Sequence, residues 1–295
     1  MLKPPLSYED QVKRLTEHGI VIDVTDNAYR FLREVNYYRF AGYVLQYRKT
    51  PSDSNLITPV SFSDVLSIYR FDADIRDFLR KYLEIAEIYY KSLISNEFAL
   101  KHCMQPPYDQ HYDVHNYYDQ DRIQDILDSF QDDIDNHYQD SLIVKHHKAR
   151  YNSKMPIWAM FELFTFSRLS SFYYCMYTSD QKLISNHLGI AHDVLTNHLH
   201  CLSVLRNKCS HAARLYNTTF SPSVKLPLSV RKKHKDIDVD SLFAYIIVLR
   251  QRLPNPSIKA EFLKELIDLI AGKPSSVDLK CMGFPNNYED ILKKL

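Results

Sequence analysis

Residues 63–102 read SDVLSIYRFDADIRDFLRKYLEIAEIYYKSLISNEFALKH, and this stretch decides the fold. Val65, Leu66, Tyr69, Ile75, Phe78, Leu79, Tyr82, Leu83, Ile85, Ala86, Tyr89, Leu93, Ile94 and Phe98 recur at spacings of three and four, the period of one helix face. Neither Pro nor Gly interrupts them. The spacing predicts a single helix of about 40 residues, about 60 Å long at a rise of 1.5 Å per residue.

The rest of the chain follows the same period. Ser7 and Asp10 form a helix start resembling a capping box, with Asp for the usual Glu, and Gly19 marks the stop. A second short helix begins at Thr25 or Asp26 and runs to about Val35. A third covers Asn36 to Tyr47. Residues 48–60 hold two prolines and several turn formers and read as a loop, and two more prolines break the pattern within 104–118. A polar helix is expected from Arg122 to about Tyr138. Met155 to Met176 reads as one core helix with Pro156 at its start, where the missing N–H does no harm. Trp158 and its aromatic neighbours read as core. Gly189 separates a short helix from one running from about His192 to His211. Residues 217–239 are polar, with a basic knot at Arg231, Lys232, Lys233, His234 and Lys235 that reads as a solvated loop. Helices over about 240–252 and 257–271 follow, with a short last one near Tyr288. In all, about nine helices and no strand are expected, an all-α chain.

Composition agrees. Only 5 of 295 residues are Gly, against a usual share of roughly 7%, so few tight turns are available and a hairpin-rich β fold is disfavoured. The 37 basic residues nearly cancel the 36 acidic ones, so any attraction for a polyanion is local. Five scattered cysteines form no CxxC pair, which argues against a disulfide framework or a zinc site and for a reducing cytoplasm. His146, His147, His187, His192, His198 and His200 show no ligand spacing, so no metal and no cofactor are expected. The N-terminus lacks the apolar core of a signal peptide, and no apolar run approaches the roughly 20 residues of a membrane helix. A soluble cytoplasmic protein is the expectation.

The helix from His192 to His211 carries Leu195, Leu199, Leu202, Leu205 and Cys209 on its apolar stripe and ends in RNKCSHAARLYN, residues 206–217. Metal-free RNA cleavage needs a base for the ribose 2′-OH, a cation for the phosphorane and an acid for the leaving 5′-oxygen. Imidazole titrates near pH 6.5 and serves as base or acid. Guanidinium stays charged, and its fork matches phosphate oxygens. His211 and Arg206 are therefore the candidate catalytic pair, with Asn207 as a polar neighbour that orients them by hydrogen bonds. The flanking Lys208 and Arg214, with Asn36, Tyr37 and Arg39 of the NYYR block, are candidate RNA contacts. Alternatively the two tyrosines of that block pack into the core and Arg39 caps a buried carboxylate. Residues five apart on a helix point about 140° from each other. Arg206 and His211 then converge if the helix distorts after Cys209, if Arg206 reaches around, or if a two-fold axis brings a second copy of the motif alongside, the arrangement favoured here. Taken alone, R-x4-H also fits an ordinary helix end, where basic side chains offset the negative end of the dipole. Glu84, Glu87 or Glu162 is expected to pair with Arg206, since a buried carboxylate is normally paired.

Several blocks occur together in order: KPPLSYEDQVKRLTEHGIVI (3–22), NYYRFAGY (36–43), F-x-D-V-L-x-I-Y-x-F-D (62–72), EIAEIYYKSLIS (84–95), PIWAMFELFTFSRLS (156–170) and LRNKCSHAARLYN (205–217). On these the chain resembles the Abi-like abortive-infection family (the AbiD/AbiF group) of the HEPN ribonuclease superfamily, over residues 3–217. The resemblance implies a HEPN-like helical bundle with extra N- and C-terminal helices. It places an Abi-like HEPN domain over 1–217 and a C-terminal helical extension over 218–295 packed on the same domain. It implies a metal-independent endoribonuclease toxin of antiphage defence, working as a homodimer on RNA and restrained by a small structured RNA antitoxin, with Arg206 and His211 as the catalytic pair. The family commonly reads A-H-H after the Cys, where this chain has Ser210, His211 and Ala212, and Tyr216 stands for the usual Trp. Two alternatives stay open: a non-catalytic RNA-binding or regulatory module, its site weakened by Ala212, and a helical scaffold in which Arg206 and His211 merely bond to neighbouring helices.

Overall fold

Helix α4 (Phe62–His102) runs through the protein as its central rod. Ser61 caps it, its Oγ accepting from the amides of Ser63 at 3.0 Å and Asp64 at 3.3 Å. Ile68, Ile75, Leu79, Tyr82, Leu83, Ala86, Tyr90 and Ile94 are sealed from solvent. A helix this long has too much apolar surface for one partner. Three elements that pack on it here are α3 (Tyr37–Val44), α7 (Ile157–Glu162) and α10 (His192–Ser210).

The structure, a computed structural model, describes residues 4–48, 50, 53, 55–136 and 141–295. Among these residues there are fourteen α-helices, and the class is all-α. Before α3 come α1 (Tyr8–Glu17) and α2 (Thr25–Glu34). Between α4 and α7 lie α5 (Gln120–Asn136) and α6 (Leu142–Tyr151). Next come α8 (Phe166–Cys175) and α9 (Thr178–His187), and after α10 come α11 (Leu228–Lys233), α12 (Leu242–Arg252), α13 (Pro256–Ala271) and α14 (Tyr288–Lys293). Helix α10 packs on α4, α8, α9 and α12. Every residue of Leu242–Leu249 is fully buried, as a helix apolar on all sides must be, and α12 meets α4, α10 and α13.

Three expectations are corrected. Met155 to Met176 is two helices, not one. The amides of Leu163 and Phe164 bond three residues back, at 3.1 Å each, and Thr165 is extended and caps α8, its Oγ1 accepting from the Arg168 amide at 3.2 Å. A Thr hydroxyl competes with the helix for its own backbone, and the break lets Phe161, Phe164 and Phe172 enter one core. Trp158 is not core: it stands 55% exposed. The strand-free expectation gives way to a short parallel pair, β1 (Ile20–Val21) and β2 (Val60–Ser61), in register Ile20 with Val60. Helix α6 and helix α11, the latter running into the basic knot, were not foreseen. The expected end of the polar helix at Tyr138, and Lys49, Pro51, Ser52 and Ser54 of the expected loop, lie outside the described residues.

Two histidines are held neutral in the interior. His111 places Nε2 2.9 Å from the Met155 carbonyl, and His198 of α10 places Nε2 2.8 Å from the Lys225 carbonyl. Burial pushes both down to about 4 from an ordinary 6.5. Below pH 6.5 the unfolded chain takes up protons that the folded chain refuses. Their stabilisation is full above about pH 6.5 and is lost as pH falls toward 4. Urea midpoints are expected to fall from pH 6.5 to 5, by about 1.4 kcal/mol per pH unit for each histidine once well below 6.5. A His198→Gln variant is expected to show a shallower slope, and an unchanged slope would rule out this assignment.

Candidate functional site

Helix α10 stays regular to its end. The His211 amide bonds the Asn207 carbonyl at 3.0 Å. Ala212 then turns the chain at φ 50°, with the Ala212 amide on the Cys209 carbonyl at 3.3 Å and the Ala213 amide on the Lys208 carbonyl at 2.9 Å. That is the Schellman closure, in which the left-handed position usually belongs to Gly. No distortion after Cys209 swings Arg206 and His211 together.

The turn is clamped from outside. Arg39 Nη1 donates to the Ala212 carbonyl at 2.7 Å, Arg76 Nη1 to the Ala213 carbonyl at 3.2 Å, and Arg214 Nη1 to the Gly42 carbonyl. Beneath it lies Asp72, fully buried on α4. Its carboxylate accepts from the Tyr43 hydroxyl at 2.5 Å, from Arg76 one turn on, and from the amides of Leu215 (3.2 Å) and Tyr216 (2.8 Å). Burial raises the Asp72 pKa, against the Tyr43 bond, the Arg76 charge and the two amides. Sequence reading missed this clamp, although Asp72 closes one of the quoted blocks. Its signal was an Asp and an Arg four apart among the apolar positions of α4.

Of the three glutamates considered, Glu87 pairs with Arg206: Oε2 lies 3.3 Å from Nε. Glu84 and Glu162 are exposed. Glu87 is nearly buried, and its Oε1 lies 3.1 Å from Lys91 Nζ. The Arg206 side chain is 34% exposed, and among the described residues nothing bonds its outer fork nitrogens. His211 caps α10 in solvent, and its ring has no partner among the described residues. Asn207 Nδ2 donates to Ser167 Oγ at 3.0 Å.

The remaining candidates divide. Arg39 and Arg214 meet the helix end as described. Asn36, at φ 87°, spends its side-chain oxygen on the Tyr38 amide at 2.8 Å, capping α3. Tyr37 is half-buried against the core, and burial raises its hydroxyl pKa, while its neighbour Tyr38 is 79% exposed. Lys208 lies over the Phe220 ring, 5.3 Å from its centre, facing the C-terminal segment. The Tyr216 hydroxyl accepts from the Asp278 amide at 3.1 Å, a bond that an indole, which only donates, could not make. Among the described residues no group of His, Cys, Asp and Glu is placed to hold a metal ion, and no helix is long and apolar enough to cross a membrane.

A family model described as Abi-like protein matches residues 30–217, well over half of the chain, and the span includes Asp72, Glu87 and the RNKCSH run. The chain belongs to the Abi-like protein family. The block at 3–22 lies outside the match. Comparison with curated proteins and with solved structures gave no match.

Replacing Asp72 by Ala strands the Arg76 charge and two amides. The expected loss is about 3–5 kcal/mol in denaturant unfolding, with faster hydrogen exchange at Leu215 and Tyr216. Ala212→Gly removes the left-handed strain and is expected to add about 0.5–1 kcal/mol. A destabilised Ala212→Gly protein would contradict the backbone geometry described.

Proposed function

We propose that this protein is a metal-independent endoribonuclease, a toxin of abortive infection that acts on RNA as a homodimer. The family supports a role in abortive infection. The observation that carries the enzymatic reading is the pairing of two unspent groups at one helix end: an Arg206 fork anchored through Nε alone, and an imidazole at His211 with no partner among the described residues. Both groups stand open to solvent, where a substrate phosphate can reach them. Here the restrained cation and the unpartnered imidazole match electrostatic and acid–base roles respectively.

The chemistry runs in line. A base takes the 2′-OH proton, the 2′-oxygen attacks the adjacent phosphorus, the P–O5′ bond breaks, and an acid returns a proton to the leaving 5′-oxygen. The products are a 2′,3′-cyclic phosphate and a 5′-hydroxyl. His211 moves a proton, Arg206 bears on the phosphorane charge, and Asn207, tied to Ser167, orients them. Because α10 is straight between the two residues, a second copy of the chain across a two-fold axis supplies the rest of the constellation. Lys208, Arg214, Arg39, Asn36 and Tyr37 are the proposed RNA contacts, and a small structured RNA is the proposed restraining partner. The absence of a side chain beyond Cβ at Ala212 favours one rival, a module that binds RNA without cutting it.

Purified protein incubated with end-labelled RNA in EDTA is expected to yield cyclic-phosphate ends. His211→Ala and Arg206→Ala are each expected to lower the rate by about 10²-fold or more. RNA binding without products would favour the rival, and cleavage surviving in either variant would rule out the mechanism.

A further inference from the structure

Trp158 is the only tryptophan of the chain, and it stands largely in solvent near the start of α7. It lines a cavity of about 700 Å³ between α4, α6 and α7, together with Tyr89, Lys91, Asn96, His147 and Glu162. An exposed indole with a second aromatic and a cation nearby is the composition that single-stranded nucleic acid binds: a π-face for a base and a positive charge for the backbone.

The cavity is joined to the cleavage centre. Lys91 Nζ lies 3.1 Å from Glu87 Oε1, and Arg206 Nε lies 3.3 Å from Glu87 Oε2. One carboxylate therefore sits between the cation of the cavity and the cation of the proposed active site. The charges also give direction. Glu162, exposed on the rim, repels phosphate but accepts N–H groups from a base edge. Lys91 and Arg206 attract phosphate. A nucleotide that enters with its base toward Trp158 and Glu162 and its phosphate toward Lys91 satisfies both.

We propose that this cavity is the nucleobase subsite of the cleavage centre. It takes an unpaired base of single-stranded RNA next to the scissile phosphate, with Trp158 as the stacking face and Lys91 as a phosphate contact. The proposal rests on the reading of the chain as an RNA-cutting protein, and it makes the enzyme selective for single strands, since a paired base cannot enter.

With one tryptophan, emission excited at wavelengths where tyrosine does not absorb reports this cavity alone. The test is a titration of the full chain with a 2′-deoxy oligoadenylate of about eight nucleotides, which lacks the attacking hydroxyl, beside an abasic strand of the same length and charge. Quenching by the first and not by the second is expected. Trp158→Ala is expected to weaken binding of a labelled strand roughly ten-fold by anisotropy, and Trp158→Phe to restore most of it. Binding without quenching, equal quenching by the abasic strand, or no binding would overturn the subsite. So would emission that follows protein concentration and ignores the strand, which would make the face a subunit contact. Cleavage in EDTA without quenching removes the subsite and leaves the enzyme standing, whereas quenching without cleavage does the reverse.

Discussion

The end of α10 is held in place by a single carboxylate with four donors. Asp72 has no access to water, and it receives the Tyr43 hydroxyl from α3, the Arg76 guanidinium from its own helix, and two amides from the segment after α10. A buried ion pair is a weak source of stability, because desolvation offsets most of the attraction. Its value here is in specification. Once Ala212 reverses the chain, the amides of Leu215 and Tyr216 face the interior without a helical acceptor, and buried amides require one. Asp72 offers the acceptor at one place only. The path of the chain past His211 follows from that placement.

The same clamp ties the C-terminal segment to the helix end. Tyr216, fixed by Asp72 through its amide, presents its hydroxyl to the Asp278 amide, and the Asn217 amide bonds the Cys281 carbonyl at 3.0 Å. Cys281 in turn reaches Gln46 at 3.2 Å, beyond α3. Residues from three distant parts of the sequence thus close around one end of α10.

How far the sequence disclosed this depends on the range over which each signal acts. Helix α4 was legible almost to the residue, because its period repeats many times without a breaker. The cap at Ser7 and the stop at Gly19 were legible because capping is local chemistry. The division between α7 and α8 was hidden, since Thr165 is a tolerable helix residue and only the packing of Phe161, Phe164 and Phe172 decides for the break. Trp158 was misplaced for a related reason. An aromatic among aromatics reads as core, and which one faces out depends on a helix angle that the break itself sets. At the candidate site the residue types were visible and their partners were not: Glu87 was one of three glutamates on equal terms, and two of the donors to Asp72, the Leu215 and Tyr216 amides, lie more than 140 residues from it in sequence.

Glu87 decides how a charged site of this kind can exist on a neutral protein. With 37 basic and 36 acidic residues there is no global field to gather RNA, so cations must be concentrated locally and kept apart from one another. A nearly buried carboxylate with one oxygen on Arg206 and the other on Lys91 does both. It holds each cation by a single ion-pair contact and leaves the outer fork of Arg206 uncommitted. It also offsets one of the two positive charges, so that the pair does not repel itself before a phosphate arrives. A polyanion entering beside Glu87 meets two oriented cations whose desolvation has been met in part by folding. On the proposed reading, that preorganisation, and not net charge, is what would serve phosphate chemistry at this helix end.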